Sequence, residues 1–225
     1  MKIIAIVSGG LDSISMLYHY ASMGGSYRPE HEISVLSFDY GQRHKKELAF
    51  AEQAARHIDA PFDVIDLSGL TKHIGGNSLT DSIPVPDGHY AEENMKITVV
   101  PNRNAIMLSI AYGIAVARQA DAVAIAVHAG DHFIYPDCRE EFTKSFEEMQ
   151  NKAINGFGNV RLLTPFIESS KSDIVLKGQA AGTPFIETWS CYKGLDIHCG
   201  ACGTCVERKE AFLLAGVKDP TTYLR

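Results

Sequence analysis

Two groups of residues in this sequence have the types and spacing to do chemistry. The first is Ser8-Gly9-Gly10-Leu11-Asp12-Ser13, set between an apolar run and a helical pattern. Glycines in such a turn let the backbone approach a ligand closely, and the amides at a helix N-terminus attract anions, so phosphate is the natural guest. Ser8 and Ser13 add hydroxyl donors, and Asp12 offers the hard oxygen that magnesium favours. The string has neither the lysine of a Walker loop nor G-x-G-x-x-G spacing, which argues against a GTPase and a dehydrogenase. The alternative is a ligand-free glycine turn.

The second group is Cys191, Cys199, Cys202 and Cys205, four of the five cysteines, within fifteen residues. In a reducing compartment such a cluster reads as metal ligation rather than a disulfide framework. Four thiolates around one tetrahedral zinc make a closed, structural site, one zinc per chain, whose task is folding the C-terminal segment. An iron-sulfur cluster, a redox pair and metal-free packed thiols are the competing readings. His198 adjoins Cys199 as a neighbour of the site or a group facing substrate, and Cys138 stands apart as a packed or reactive thiol.

Elements that alternate between strand and helix must position these groups. Strands are predicted at Lys2–Val7, Ile33–Phe38, Phe62–Leu67, Ala122–Val127 and Val160–Leu163. Helices are predicted from Ile14 to a stop at Gly24-Gly25, and over Lys45–Ile58, Ala105 to about Gln119, Glu140–Asn155 and from a capping box at Ser170–Asp173. This order implies parallel strands joined by right-handed crossovers, a doubly wound α/β fold with a mostly parallel five-stranded sheet. The polar stretch from Ser68 to Glu93 is too long for a connector and reads as a flap over a site. Asp39, at the end of the second strand, is placed for ribose contact or for a strand-end cap.

The chain has 225 residues, 45% of them hydrophobic and 21% charged, with net charge -6, which suits a compact domain and not a grip on nucleic acid. No apolar run approaches the roughly 20 residues that span a bilayer, and no secretory leader is visible, so a cytoplasmic protein without a membrane partner is expected.

The S-G-G-L-D-S string resembles the PP-loop of ATP-pyrophosphatases, which bind ATP, let a nucleophile attack the α-phosphate and release pyrophosphate. Further strings are Phe38-Asp39-Tyr40-Gly41-Gln42-Arg43-His44, Val99-Val100-Pro101-Asn102-Arg103-Asn104 and Val127-His128-Ala129-Gly130-Asp131-His132. Tyr135-Pro136-Asp137-Cys138-Arg139, Thr164-Pro165-Phe166, Ser170-Lys171-Ser172-Asp173, and Thr188-Trp189-Ser190-Cys191 through the cysteines to Glu207-Arg208 complete the set. With them the chain resembles, from end to end, the 7-cyano-7-deazaguanine synthases of the queuosine pathway.

The resemblance implies a single PP-loop domain over 1–225, with 188–225 a zinc-bound helical segment packed on it, and a homodimer. It implies a ligase that turns 7-carboxy-7-deazaguanine and free ammonia into the amide and then the nitrile, splitting magnesium-bound ATP to AMP and pyrophosphate each time. Ser8, Gly9, Gly10, Leu11, Asp12, Ser13 and Asp39 are then candidates for nucleotide binding. Asp12, Arg103 and Lys171 are candidates for catalysis, and Arg103, Asp131, Tyr135, Asp137 and Trp189 for substrate contact. Trp189 could instead pack on the metal loop. Competing functions are a homologue that stops at the amide or passes the activated base to another acceptor, a PP-loop tRNA thiolase, and a zinc-binding protein with a vestigial nucleotide fold.

Overall fold

The computed structural model describes residues 1–23, 30–43, 45–89 and 93–225. The expected helix stop at Gly24-Gly25 lies outside the described residues, as do His44 and residues 90–92.

Five strands, β1 (Lys2–Ile6), β2 (Glu32–Asp39), β3 (Phe62–Asp66), β4 (Ala122–Ala124) and β5 (Arg161–Leu163), form one sheet in the order β3-β2-β1-β4-β5. Every pairing is parallel. Side chains alternate across a strand, and β1 sends Ile4 and Ile6 into one core and Ile3, Ala5 and the following Val7 into the other. This two-sided burial explains why the strand reads as an unbroken apolar run. The first core takes α4 (Arg103–Ala117) and α5 (Glu140–Ala153), and the second takes α1 (Leu11–Ser22), α2 (Lys46–His57) and α6 (Lys171–Ala180). A short helix α3 (Ser68–Thr71) follows β3, and α7 (Gly203–Ala215) packs on α6.

Chain order runs outward from β1 to β3 and then restarts at β4 on the other side of β1. The connections therefore leave the carboxyl ends of β1 and β4 toward opposite faces and open a crevice there. The turn 8–13 and the segment 125–131 both issue from that crevice. The predicted strand to Val127 is shorter, because its β5 partner ends at Leu163, which accepts the last sheet-like bond from the Ile125 amide at 3.0 Å.

Two stretches read from the sequence bear closer description. Met95–Ala117 is long and apolar enough to cross a membrane by length and composition. It is broken, however, at left-handed Asn102 between a 3-10 turn and α4, and α4 buries Met107, Leu108, Ala111, Tyr112 and Ala115 in the core. The stretch 68–93, expected as a flap, is tied down in its described part. The Asn77 side chain caps the amides of Leu79 and Thr80, Ser78 bonds Ile97, and Gly88 bonds Ala201.

Candidate active site and metal centre

The turn after β1 is shaped by Gly9, whose φ is +93° and whose hypothetical Cβ would lie 1.9 Å from the Glu47 carbonyl oxygen of α2. A side chain there would push α2 off the loop. Ser8 and Ser13 hydroxyls lie 3.1 Å apart, and the Ser13 hydroxyl also accepts from the Ser8 amide at 3.2 Å. Gly10 is the N-cap of α1 and supplies no capping side chain, so the first-turn amides are left for a ligand. Ser8, Gly10, Leu11, Asp12 and Ser13 line one end of a cavity of about 200 Å³ in the crevice.

An ionic cluster closes that end. Capped by the Ser170–Asp173 box, α6 starts at Lys171, whose ammonium donates to Asp12 Oδ2 at 2.6 Å and pairs with Glu207 Oε2 at 3.2 Å. Burial works against the Lys171 charge, but Asp12, Glu207 and Asp131 outweigh it and raise its pKa. Burial likewise pushes the Asp12 carboxyl up, and Lys171 with His128 more than reverses this, so it stays ionised below its usual range. For Glu207 burial wins and the pKa rises. His128 accepts from the Gly130 amide through Nδ1, and its Nε2 lies 3.4 Å from both Asp131 Oδ2 and Lys171 Nζ and 3.7 Å from Asp12 Oδ2. Asp12 Oδ1 is buried with no hydrogen-bond partner, an oxygen suited to a hard cation.

The other end is aromatic. Arg103, at the start of α4, lies 5.6 Å over the Tyr40 ring, with Nη1 3.4 Å from its hydroxyl. Tyr135 and Tyr192 complete its surroundings, and among the described residues no carboxylate forms an ion pair with it. Burial raises Tyr40 to about 12, so it faces the guanidinium as a neutral phenol. Tyr135 spends its hydroxyl on Thr98 at 2.8 Å. Glu47 lines the cavity too.

The cavity thus gathers Asp12, Arg103, Asp131, Tyr135, Lys171 and Trp189 with most of the turn. Asp137 and Asp39 are not among its lining residues. Asp137 Oδ2 accepts the Asn104 amide at 3.0 Å and so caps the first turn of α4. Asp39 takes Lys45 at 2.6 Å and the Gly41 amide at 3.0 Å. The Trp189 indole stacks near Phe50 and His198 and donates to the Cys191 carbonyl at 2.9 Å, which places most of the ring on the metal loop. His128, Glu207, Tyr40 and Tyr192 were given no role from sequence, and Glu47 had no local signal beyond an acidic first helical turn.

All four cysteine sulfurs lie within 4.8 Å of one another and are buried. The Cys199 and Cys205 sulfurs are 3.9 Å apart. A tetrahedron with metal–sulfur bonds of about 2.3 Å has edges of about 3.8 Å, so the cage fits one ion. Cys199 Sγ accepts the amides of Ala201 and Cys202, bonds that spread thiolate charge. His198 accepts the Ser190 amide at 3.0 Å, and burial and then Arg208 lower it to about 4. From this cage α7 carries Thr204 and Glu207 into the cavity, and the Trp189 amide bonds the Gly9 carbonyl at 2.9 Å. Fully buried Arg208 holds Thr188 and the Phe185 carbonyl against α7.

Residues 2–216 match the family described as queuosine biosynthesis protein QueC. The 7-cyano-7-deazaguanine synthase of Ruegeria pomeroyi is 60% identical over 224 residues, covering 99% of this chain and 94% of that protein. That of Rhizobium etli is 59% identical over 223 residues, with 99% and 92% covered. That of Brucella anthropi is 57% identical over 224 residues, with 99% and 94% covered. On the match to nearly its whole length, this chain belongs to the QueC family of queuosine biosynthesis proteins.

Proposed function

We propose that the chain joins 7-carboxy-7-deazaguanine and ammonia, using ATP, to form first the amide and then 7-cyano-7-deazaguanine. The observation that carries this reading is one cavity lined both by the turn 8–13 with its ionic cluster and by an arginine among tyrosines that pairs with no carboxylate among the described residues. A planar acid held by Arg103 would lie along the cavity with its carboxylate oxygen toward the α-phosphate bound at 8–13. Attack there releases pyrophosphate and leaves an acyl adenylate, a far better electrophile than the acid. Ammonia then displaces AMP, and the amide oxygen is activated by a second ATP in the same place. Loop amides, Ser8, Ser13 and Lys171 stabilise the charge that develops on the phosphates.

Four carboxylates line the cavity against Lys171 and Arg103, so a triphosphate needs a divalent cation beside it. Asp12, with its orphaned oxygen, and Asp131 would hold magnesium, which supplies charge neutralisation when bound. The cysteine cage takes zinc in a structural role, and 188–225 packs through it onto a single domain. Exposed Leu213 and Leu214 on α7, with Leu176 on α6 and Ile186 between the helices, favour a homodimer contact on that side. Small-molecule substrates and thiol ligands are consistent with the cytoplasm.

The test is to supply acid, ammonium, ATP and magnesium and to follow products by mass spectrometry. Two AMP should appear per nitrile, and amide added alone with ATP and magnesium should be dehydrated. Amide that persists under those conditions would make the protein an amide synthase or a transferase.

A further inference from the structure

We propose that Glu47 is the general base of both nitrogen-centred steps, an inference that rests on the function proposed above. Its place is set by two locks. The main chain of Glu47 is pressed against Gly9, so α2 cannot shift relative to the nucleotide loop. Its Oε1 accepts from Gln42 Nε2 at 3.2 Å, and Gln42 is itself fixed by donating to the Phe38 carbonyl at 3.1 Å and accepting the Tyr40 amide at 2.8 Å. Among the described residues none donates to Oε2 and none forms an ion pair with Glu47, although Arg103 lines the same cavity. A carboxylate kept for structure would be paired with that guanidinium. Here both groups keep bonding capacity within one cavity, and the proposal places the substrate's carboxyl carbon beside them.

The other acids are occupied. Asp12 and Glu207 pair with Lys171, and Asp131 approaches His128. Cys138 is held protonated chiefly by burial, and Tyr40 is too weak an acid to exchange protons near neutrality. Among the described residues, the charged and titratable groups that face Glu47 are Arg103 from α4 and Tyr40 beyond β2. On its own helix end, Lys45 turns to Asp39 and Lys46 to Asp196. Burial outweighs Arg103 and Gln42 and brings the carboxyl to about 7, where a base works best near neutral pH.

The steps balance. Ammonia adds to the acyl carbon of the adenylate, the carbon–oxygen bond to AMP breaks with its electron pair on the phosphate oxygen, and the surplus nitrogen proton passes to Glu47. In the second half the amide oxygen bonds the α-phosphate of ATP and pyrophosphate leaves. The resulting cation loses a nitrogen proton to Glu47. Loss of AMP then forms the triple bond, and the last nitrogen proton leaves by the same route after Glu47 has returned the first to solvent.

The test compares wild type with Glu47→Gln, a variant of the same shape. Acid-dependent exchange of pyrophosphate into ATP needs only adenylation and should stay within about threefold, which also reports a folded protein. Single-turnover amide formation and amide dehydration should both fall by about 10²-fold or more. With free ammonia held constant, the wild-type rate should rise through about pH 7, and this rise should vanish in the variant. Unchanged turnover, an unchanged pH profile, or loss of exchange together with turnover would each overturn the assignment. Absence of exchange in the wild type would instead overturn the function itself.

Discussion

At the phosphate end of the cavity Lys171 is paired twice, with Asp12 and Glu207, whereas at the aromatic end Arg103 meets a tyrosine hydroxyl at 3.4 Å and no carboxylate among the described residues. Breaking one partner of a buried pair leaves an uncompensated charge, so an entering triphosphate must bring its own cation or exchange partners with Lys171. Arg103 carries the complementary vacancy. Its desolvation is already in place, and in the proposed function an incoming carboxylate would complete it. In the proposed function the first group would therefore exchange charges during each ATP cycle, while the second would take a fixed anion.

The largest disruption should remove both ends at once. Cys202→Ser takes away one of the four caged sulfurs and the N-cap of α7, the helix that brings Thr204 and Glu207 to the cavity. Metal content should fall from near one zinc per chain, and soluble yield should drop, because structural zinc contributes on the order of 10 kcal/mol. Metal analysis of the purified protein checks this. A brown, iron-bearing wild type would replace zinc with a cluster in the proposal.

Next in size, Asp12→Asn strikes the exchanging end alone. Pyrophosphate exchange should slow by about 10²–10³-fold with the melting temperature nearly kept, since the carboxylate lies on the cavity wall and not in either core. Because Asp12 is ionised below its usual range, its contribution should be present above a carboxylate's ordinary pKa and lost as the pH falls through the lowered one. A neutral-pH exchange rate equal to wild type would remove the charge-exchange description.

The smallest expected effect is at the waiting end. Arg103→Met should raise KM for the acid by about 10-fold to 10²-fold and leave KM for ATP unchanged, with Arg103→Lys recovering part of the loss. Equal effects on both substrates would show that the two ends are not independent.

Local signals were sufficient for the five parallel strands, α1, α2, α4, α5 and α6, the capping box, the anion loop and the four cysteines. Each of these depends on a period, a cap or a spacing within about twenty residues. The roles of Asp39, Asp137 and Trp189 were not decidable in that way, because each sits in a string where a ligand contact and a structural bond demand the same side chain. Packing directs Asp39 to Lys45, Asp137 to the first turn of α4, and the Trp189 indole to the metal loop. The pairings with no sequence signal, and the lining Glu47, are those brought together from afar. Glu207 reaches Lys171 across 36 positions by way of α7, Lys171 reaches Asp12 across 159, and Glu47 enters because only a glycine at position 9 lets α2 approach. Residue types and short spacings thus determine which elements form and which atoms could bind an anion or a metal. Which charges pair, which arginine stays open and which carboxylate keeps a free oxygen depend on distances between segments far apart in the chain, and those exist only once the sheet has brought the segments together.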